Sequence, residues 1–212
     1  MSALYKFTDK ELQEMDSVIA RYPKPRSAIM PLLHYIQSLD GYVTSRGIEI
    51  IAEKLNIAEA EVTAVSTFYT QYKSEPVGEY HIGICTNTLC AIMGGDAIHD
   101  SVANYLGIEC NQKTADGKIS LESVECNAAC DYAPVVMVNW EFFDNQTPQS
   151  VREMIDQIND GKPPVPTRGP KKLPTWKENS RTLAGFDDGL AHQGVQAGPA
   201  SLAGLKIAKG DK

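Results

Sequence analysis

Two pairs of cysteines constrain this chain more than any other feature of its sequence. The first pair is Cys85 and Cys90, separated by four residues, and the second is Cys126 and Cys130, separated by three. Each pair follows a segment rich in β-forming residues. Loops at the ends of neighbouring strands can converge on one point, and a site with four thiolates can be built from distant sequence in this way.

The spacing within each pair bears on which metal the thiolates would hold. Structural zinc sites usually use Cys-x2-Cys knuckles, and neither pair has that spacing. The wider gaps favour a [2Fe–2S] cluster, and the Cys-x4-Cys element also occurs in plant-type ferredoxins. From spacing alone a zinc site and dithiol redox chemistry stay open, although Cys-x3-Cys is not the Cys-x2-Cys of thioredoxin-type enzymes.

The remaining candidate ligands fall outside this pattern. Cys110 has no partner at ligand spacing, so we predict a small apolar side chain or a surface thiol there. A Rieske centre would need two histidine ligands, and no histidine is paired with the cysteines. We therefore predict structural or surface roles for the histidines, which are His34, His81, His99 and His192.

Composition and charge limit the class of protein. The five cysteines are an odd number, which argues against a disulfide framework in a reducing compartment. The sequence has no apolar run of about 18 residues, so no membrane span is expected. Its first residues lack the basic segment followed by an apolar segment that is typical of a secretory signal. We expect the protein in the cytosol, or on the cytosolic side of something larger. The net charge of −7 argues against non-specific nucleic-acid binding.

Sequence patterns divide the chain into three parts. Residues 1–76 are predicted to form a helical bundle, because apolar residues recur at helical spacing after a capping box of Thr8 and Glu11. Residues 77–160 alternate strand and helix patterns, which is typical of a compact α/β layer fold. The predicted class is thus α+β or α/β.

The third part, residues 161–212, differs in kind. From Asp160 onward it holds six of the twelve prolines, eight of the sixteen glycines and a net charge of +4. Such a composition does not readily bury a core, so we expect an extended or disordered tail. Its spaced apolar residues Trp176, Leu183 and Phe186 would anchor it either to a partner or to this protein's own body. The basic charge suits an acidic partner surface, or it is simply solvated.

Four segments carry a resemblance to a known family. They are Val65-Ser-Thr-Phe-Tyr-Thr70, Pro76-Val-Gly-Glu-Tyr-His-Ile82, Cys85-Thr-Asn-Thr-Leu-Cys90 and Cys126-Asn-Ala-Ala-Cys130, the last followed by Ala133, Pro134 and Asn139. Over residues 7–157 the chain resembles the thioredoxin-like [2Fe–2S] ferredoxin subunit of NADH:quinone oxidoreductase, which is respiratory complex I.

The resemblance implies a helical bundle joined to a thioredoxin-like domain. It implies one [2Fe–2S] cluster held by Cys85, Cys90, Cys126 and Cys130, with no catalytic residue on this chain. It further implies a flavoprotein partner that carries FMN and NADH, more subunits of the peripheral arm, and a place on the cytoplasmic face of the inner membrane.

Two points stay open at this level. The family's second pair often reads Cys-Leu-Gly-Ala-Cys, whereas here Asn127 and Ala128 stand between the cysteines, which can alter hydrogen bonding to sulfur and hence the reduction potential. The same module also serves NAD-linked hydrogenases and formate dehydrogenases. A different class, a zinc-stapled interaction protein without a redox role, is the further alternative.

Overall fold

A computed structural model describes residues 6–190, 193–194 and 198–210. The chain divides into two compact units, here called the helical unit and the sheet unit. The helical unit comprises Met1–Pro76 and Lys177–Phe186, and the sheet unit comprises Val77–Trp176 and Asp187–Lys212. In the described part of the chain, no helix combines the length and apolarity needed to cross a membrane.

The helical unit begins with four helices. They are α1 (Asp9–Ile19), α2 (Ile29–Asp40), α3 (Ser45–Leu55) and α4 (Glu59–Phe68). The predicted capping box closes the start of α1, because the Glu11 carboxylate accepts the Thr8 N–H at 2.7 Å. Gly41 and Asn56 both adopt left-handed backbone after α2 and α3, a conformation that terminates helices.

The core of the helical unit consists of apolar side chains from its four helices. Its fully buried large side chains are Met15, Leu32, Leu33, Tyr35, Ile36 and Ile51. His34 is buried among them, and its Nδ1 atom has no hydrogen-bond partner among the described residues. Burial lowers the pKa of His34 to about 4, because desolvation disfavours the charged imidazolium.

The sheet unit contains four strands in the order β2-β1-β3-β4. The strands are β1 (Tyr80–Cys85), β2 (Ile119–Val124), β3 (Val136–Val138) and β4 (Glu141–Phe143). β1 and β2 run parallel, joined through α5 (Thr88–Ile92) and α6 (Gly95–Leu106). β3 and β4 form an antiparallel hairpin, whose turn residues Asn139 and Trp140 both have positive φ, as such tight turns require. The predicted α/β layers are therefore confirmed.

Helices cover the sheet with the residues that the sequence pattern assigns to the core. Ile98 and Val102 of α6 and Val151, Met154, Ile155 and Ile158 of α7 (Pro148–Asn159) are all buried in one cluster with the strands. Thr147 caps α7, since its hydroxyl accepts the Ser150 N–H at 3.1 Å.

The tail contains helices that its composition does not predict. α8 (Trp176–Leu183) and α9 (Pro199–Lys209) lie in the stretch expected to be extended or disordered. Leu173 and Trp176 are 2% and 1% exposed, and Trp176 donates its backbone N–H to the Glu79 carbonyl at 2.8 Å. These contacts stabilise a glycine- and proline-rich stretch that has few apolar residues of its own.

After Trp176 the chain returns to the helical unit. Arg181 makes a bidentate ion pair with Glu14, at 2.9 and 3.0 Å, and Phe186 packs against the core of that unit. Trp176 and Phe186 thus anchor the tail to this protein's own body, whereas Leu183 stays 43% exposed.

Candidate metal centre

The parallel pairing of β1 and β2 positions both cysteine loops. Cys85 is the last residue of β1 and lies in register with Val124, the last residue of β2. The loops that carry the two pairs therefore start at the same edge of the sheet. The Cys85 thiol donates to the carbonyl of Glu125 at 3.7 Å, which brings the start of the second loop against the first cysteine.

The first loop is helical and tightly packed. The Asn87 side chain accepts the Thr88 N–H at 2.7 Å, and Cys90 lies in the short helix α5 that begins there. α6 then begins at Gly95, where a Cβ atom would lie 2.5 Å from the Cys85 carbonyl oxygen. Only glycine allows this approach, because a real Cβ cannot come so close to a backbone oxygen.

The second loop wraps around its own cysteine. The Ala128 N–H donates to the Cys126 Sγ atom at 3.3 Å, and Ala128 adopts a positive φ of 51° to do so. Cys130 then opens a 3₁₀ turn, Cys130–Tyr132, which leads into β3. The Cys126 sulfur thus already accepts one backbone hydrogen bond, and such bonds are among the factors that set the reduction potential of a bound cluster.

The two pairs differ in burial. Cys85 and Cys90 are 3% and 4% exposed, whereas Cys126 and Cys130 are exposed. Burial is the main cause that raises the pKa of the Cys90 thiol to about 11; the neighbouring Cys85 thiol and Cys130 raise it further, and a backbone hydrogen bond from Val135 opposes them. The site thus has one enclosed side and one open side.

The structure brings the two buried ligands together. The Cys90 and Cys85 thiols lie within hydrogen-bonding reach of each other, and Cys130 is close enough to Cys90 to raise the pKa of its thiol further. Cys126 directly follows Glu125, whose carbonyl accepts the Cys85 thiol. Within the described residues, no three His, Cys, Asp or Glu side chains lie together as they would around a single metal ion. Four sulfur donors on two loops from one sheet edge nevertheless suit an iron–sulfur cluster in their chemistry.

An apolar floor lies beneath the buried pair. Ala133 and Val135 are buried with Cys85 and Cys90, and Ala129, Tyr132 and Phe142 pack against them. Such surroundings limit water access to a bound cluster, and burial is one of the factors that set its reduction potential.

Arg168 supports this floor from the tail, a role that the sequence does not predict. Its guanidinium lies 4.0 Å from the Phe142 ring centroid and 5.2 Å from that of Tyr132. It also makes a bidentate ion pair with buried Asp144, at 2.8 and 2.9 Å. These residues are 24 positions apart and carry no local motif, so no sequence signal links them.

The other candidate ligands lie elsewhere in the part of the chain that the structure describes. The buried His81 is held between Ser120, at 2.8 Å, and Glu122, at 2.7 Å. The Cys110 Sγ atom accepts the Ser123 N–H at 3.3 Å and is half-buried. His34 is in the helical core, and His99 lies on α6. His192 lies outside the described residues.

Comparison with known proteins identifies the family. A profile described as thioredoxin-like [2Fe–2S] ferredoxin matches residues 15–159, which include all four cysteines of the two loops.

The chain belongs to the thioredoxin-like [2Fe–2S] ferredoxin family.

Curated relatives of this thioredoxin-like [2Fe–2S] ferredoxin support the resemblance drawn from its motifs. The E subunit of NADH-quinone oxidoreductase from Mycobacterium tuberculosis (strain ATCC 25618 / H37Rv) is 52% identical over 194 residues, which are 91% of this chain and 76% of the relative. The corresponding protein of Rickettsia bellii is 36% identical over 73% of this chain and 94% of its own length. The mycobacterial match extends well beyond residue 159, so it includes much of the tail.

One solved structure shows the fold on a larger protein. The crystal structure of NAD+-reducing [NiFe]-hydrogenase in the air-oxidized state superposes with a TM-score of 0.55 at 18% identity, covering 62% of this chain. This chain spans about a quarter of that protein's length, 23%. The likeness is one of fold.

Proposed function

We propose that this chain is the electron-transfer subunit of an NADH:quinone oxidoreductase and holds one [2Fe–2S] cluster on Cys85, Cys90, Cys126 and Cys130. The observation that carries the proposal is the convergence of two cysteine loops on one sheet edge, inside the residues that the family profile matches. The 52% identity to the mycobacterial relative supports the same host complex. When bound, such a cluster supplies reversible one-electron transfer.

The buried pair is expected to bind iron on the side of the site that solvent does not reach. Cys85 and Cys90 would hold one iron on the enclosed side, where Ala133 and Val135 exclude water. Because burial raises the pKa of Cys90, its thiolate is unfavourable there unless a metal replaces the proton. Cluster binding and local folding are therefore expected to be coupled.

The exposed pair would leave one side of the cluster accessible to a redox partner. Cys126 and Cys130 would hold the second iron on the open side, and the Ala128 N–H compensates negative charge on the Cys126 sulfur. Electrons would enter and leave from this side or through α5, because Cys85 and Cys90 are otherwise covered by protein.

The partner proposed is a flavoprotein subunit that carries FMN and binds NADH. Three large apolar residues beside Cys90 support a protein interface there: Leu89, Ile92 and Met93 are 43%, 76% and 56% exposed. Contiguous apolar surface beside a redox site is typical of a surface that another protein covers. Single electrons would exchange with the FMN of that subunit, in a peripheral arm at the cytoplasmic face of the inner membrane.

The decisive experiment measures the metal. We expect the full chain, purified without oxygen, to contain about two irons and two sulfides per chain and to give a one-electron EPR signal after dithionite reduction. About one zinc per chain, without sulfide or visible colour, would overturn the redox function.

Cysteine variants assign the ligands. Cys85→Ser and Cys126→Ser are expected to lose iron, sulfide and visible absorbance, and Cys110→Ser is the matched control because its sulfur lies outside the two loops. Full cluster content in the first two variants would refute the ligand assignment. Co-purification with an FMN-containing subunit, abolished by Ile92→Asp but not by Cys110→Ser, tests the partner.

A further inference from the structure

Asn127, directly after Cys126 in the exposed cysteine loop, has a side-chain amide nitrogen with no acceptor among the residues that the structure describes. The Nδ2 atom is buried and makes no hydrogen bond to any described part of the protein. The residues on either side of it, Cys126 and Ala128, are exposed. The amide nitrogen is therefore enclosed by protein although its neighbours in the sequence are exposed.

An unsatisfied buried donor needs an explanation, because it loses its hydrogen bonds to water and gains none from the protein. An apolar residue at this position would avoid that cost. The loop is short, and a residue that only had to span it would not need a polar side chain directed inward. The amide thus indicates an acceptor that belongs to the site.

The loop that carries this amide turns around a cysteine sulfur. The Ala128 N–H reaches the Cys126 Sγ atom at 3.3 Å, so the backbone turns around that sulfur and Asn127 occupies the apex of the turn. Cys130 lies three residues further on. Two cysteine sulfurs thus lie within three residues of the amide along the chain, and the sulfides of a bound cluster would lie beside them as further acceptors.

We propose that Asn127 sets the reduction potential of the cluster by donating a side-chain hydrogen bond to one of its sulfur atoms. This inference rests on the proposed function, since it needs a cluster on the four cysteines. Reduction adds one electron and one negative charge to the cluster without forming or breaking a covalent bond. A donor to sulfur stabilises the more negative form, so Asn127 raises the potential.

The test compares potentials of cluster-loaded full chains. Asn127→Leu keeps the approximate size of the side chain and removes the donor, whereas Asn127→Gln retains an amide. We expect Asn127→Leu to shift the one-electron equilibrium constant about tenfold against reduction, which is about 59 mV, with the Gln variant between it and wild type. Asn104→Leu is the matched control, because Asn104 is an exposed asparagine of α6 that lies outside both cysteine loops.

A second measurement uses the wild-type chain. With nitrogen-15 in the asparagine side chains, pulsed EPR of the reduced cluster is expected to show a coupling from one side-chain amide, and Asn127→Leu is expected to remove it. This reads the bond itself and does not depend on how well a variant folds.

The outcomes separate the two proposals. An unchanged potential in Asn127→Leu with two irons and two sulfides, or no amide coupling in the wild type, would overturn the role of Asn127 and leave the electron-transfer function standing. An equal shift in Asn104→Leu would also overturn it, since the effect would not be specific to the buried donor. A wild-type chain without iron and sulfide would remove the proposed function, and this inference with it.

Discussion

The two cysteine loops start from one sheet edge but are built in different ways. The first is helical, capped by Asn87 and pressed against Gly95, and it buries both of its cysteines. The second is an irregular turn with exposed cysteines, one residue at positive φ and an amide without an acceptor among the described residues. The difference suggests a division of tasks, in which the first loop excludes water and the second provides access and tunes the charge on sulfur.

The largest expected effect tests whether the second loop depends on the tail. Arg168→Ala removes the partner of buried Asp144 and the cation that lies over Tyr132, next to Cys130. A buried charge left without its partner costs about 4 kcal/mol. We expect lower stability in urea unfolding followed by visible absorbance, and faster loss of the cluster.

The control for Arg168 replaces both charges. Arg168→Met combined with Asp144→Leu removes the uncompensated carboxylate, so much of the stability should return. If Arg168→Ala alone keeps full stability, the second loop does not need the tail.

The next prediction concerns acid, and it tests whether low pH destabilises the protein at the cysteine loops or in the helical unit. His34 has a pKa of about 4 when folded and about 6.5 when unfolded, so the unfolded chain binds more protons between these values. The contribution of His34 to the free energy of unfolding is therefore fully present above pH 6.5. It is lost as the pH is lowered through 4, and the total loss is about 3 kcal/mol. Urea unfolding at several pH values, followed by helical circular dichroism, measures it.

His34→Leu should flatten this dependence, because the substituted core has no group to protonate. The same substitution at His99, in the sheet unit, is the matched control and should leave the acid sensitivity of the helical signal in place. An acid profile identical in wild type and His34→Leu would assign the effect to other groups.

A smaller effect tests the packing of the first loop. Gly95→Ala places a methyl group 2.5 Å from the Cys85 carbonyl oxygen, so the start of α6 must shift. We expect a loss of about 2 kcal/mol and reduced iron content. Gly107→Ala is the control, since it ends the same helix at positive φ with no atom within 4 Å of the added Cβ. Equal losses in both variants would mean that the close approach is unimportant.

The smallest effect has the opposite sign and belongs to the second loop. Ala128 has a φ of 51°, a conformation that costs an alanine about 1 kcal/mol and a glycine almost nothing. Ala128→Gly should therefore stabilise the cluster-loaded protein by up to about 1 kcal/mol in urea unfolding. A loss of stability would show that the added freedom of the unfolded glycine chain outweighs the relief of strain.

Local sequence signals predict much of this fold. The predicted capping box of Thr8 and Glu11 is confirmed, and Gly41, Asn56 and Thr147 likewise end or cap helices through interactions within a few residues. The position of each cysteine pair after a strand is likewise readable, because strand patterns are local. The assignment of those cysteines as ligands stays a prediction.

Long-range partners are not readable in the same way. The tail has the composition of a disordered segment, yet Trp176 is buried. Its ring packs against the rings of His81 and Trp140, which are distant from it in the sequence. The pairing of Arg168 with Asp144 and the orphaned amide of Asn127 depend on how distant segments approach each other. A single sequence contains no local pattern that shows which distant segments come into contact.

The order of segments along the chain has a consequence for synthesis. Lys177–Phe186 belongs to the helical unit, although the whole of Val77–Trp176 separates it from the other helices. At about 5–20 residues per second on the ribosome, the nascent helices would wait on the order of 5–20 s for this last piece. Glu14 lacks its partner Arg181 during that interval. The order of segments therefore leaves the helical unit incomplete, and open to chaperone binding, until α8 has been synthesised.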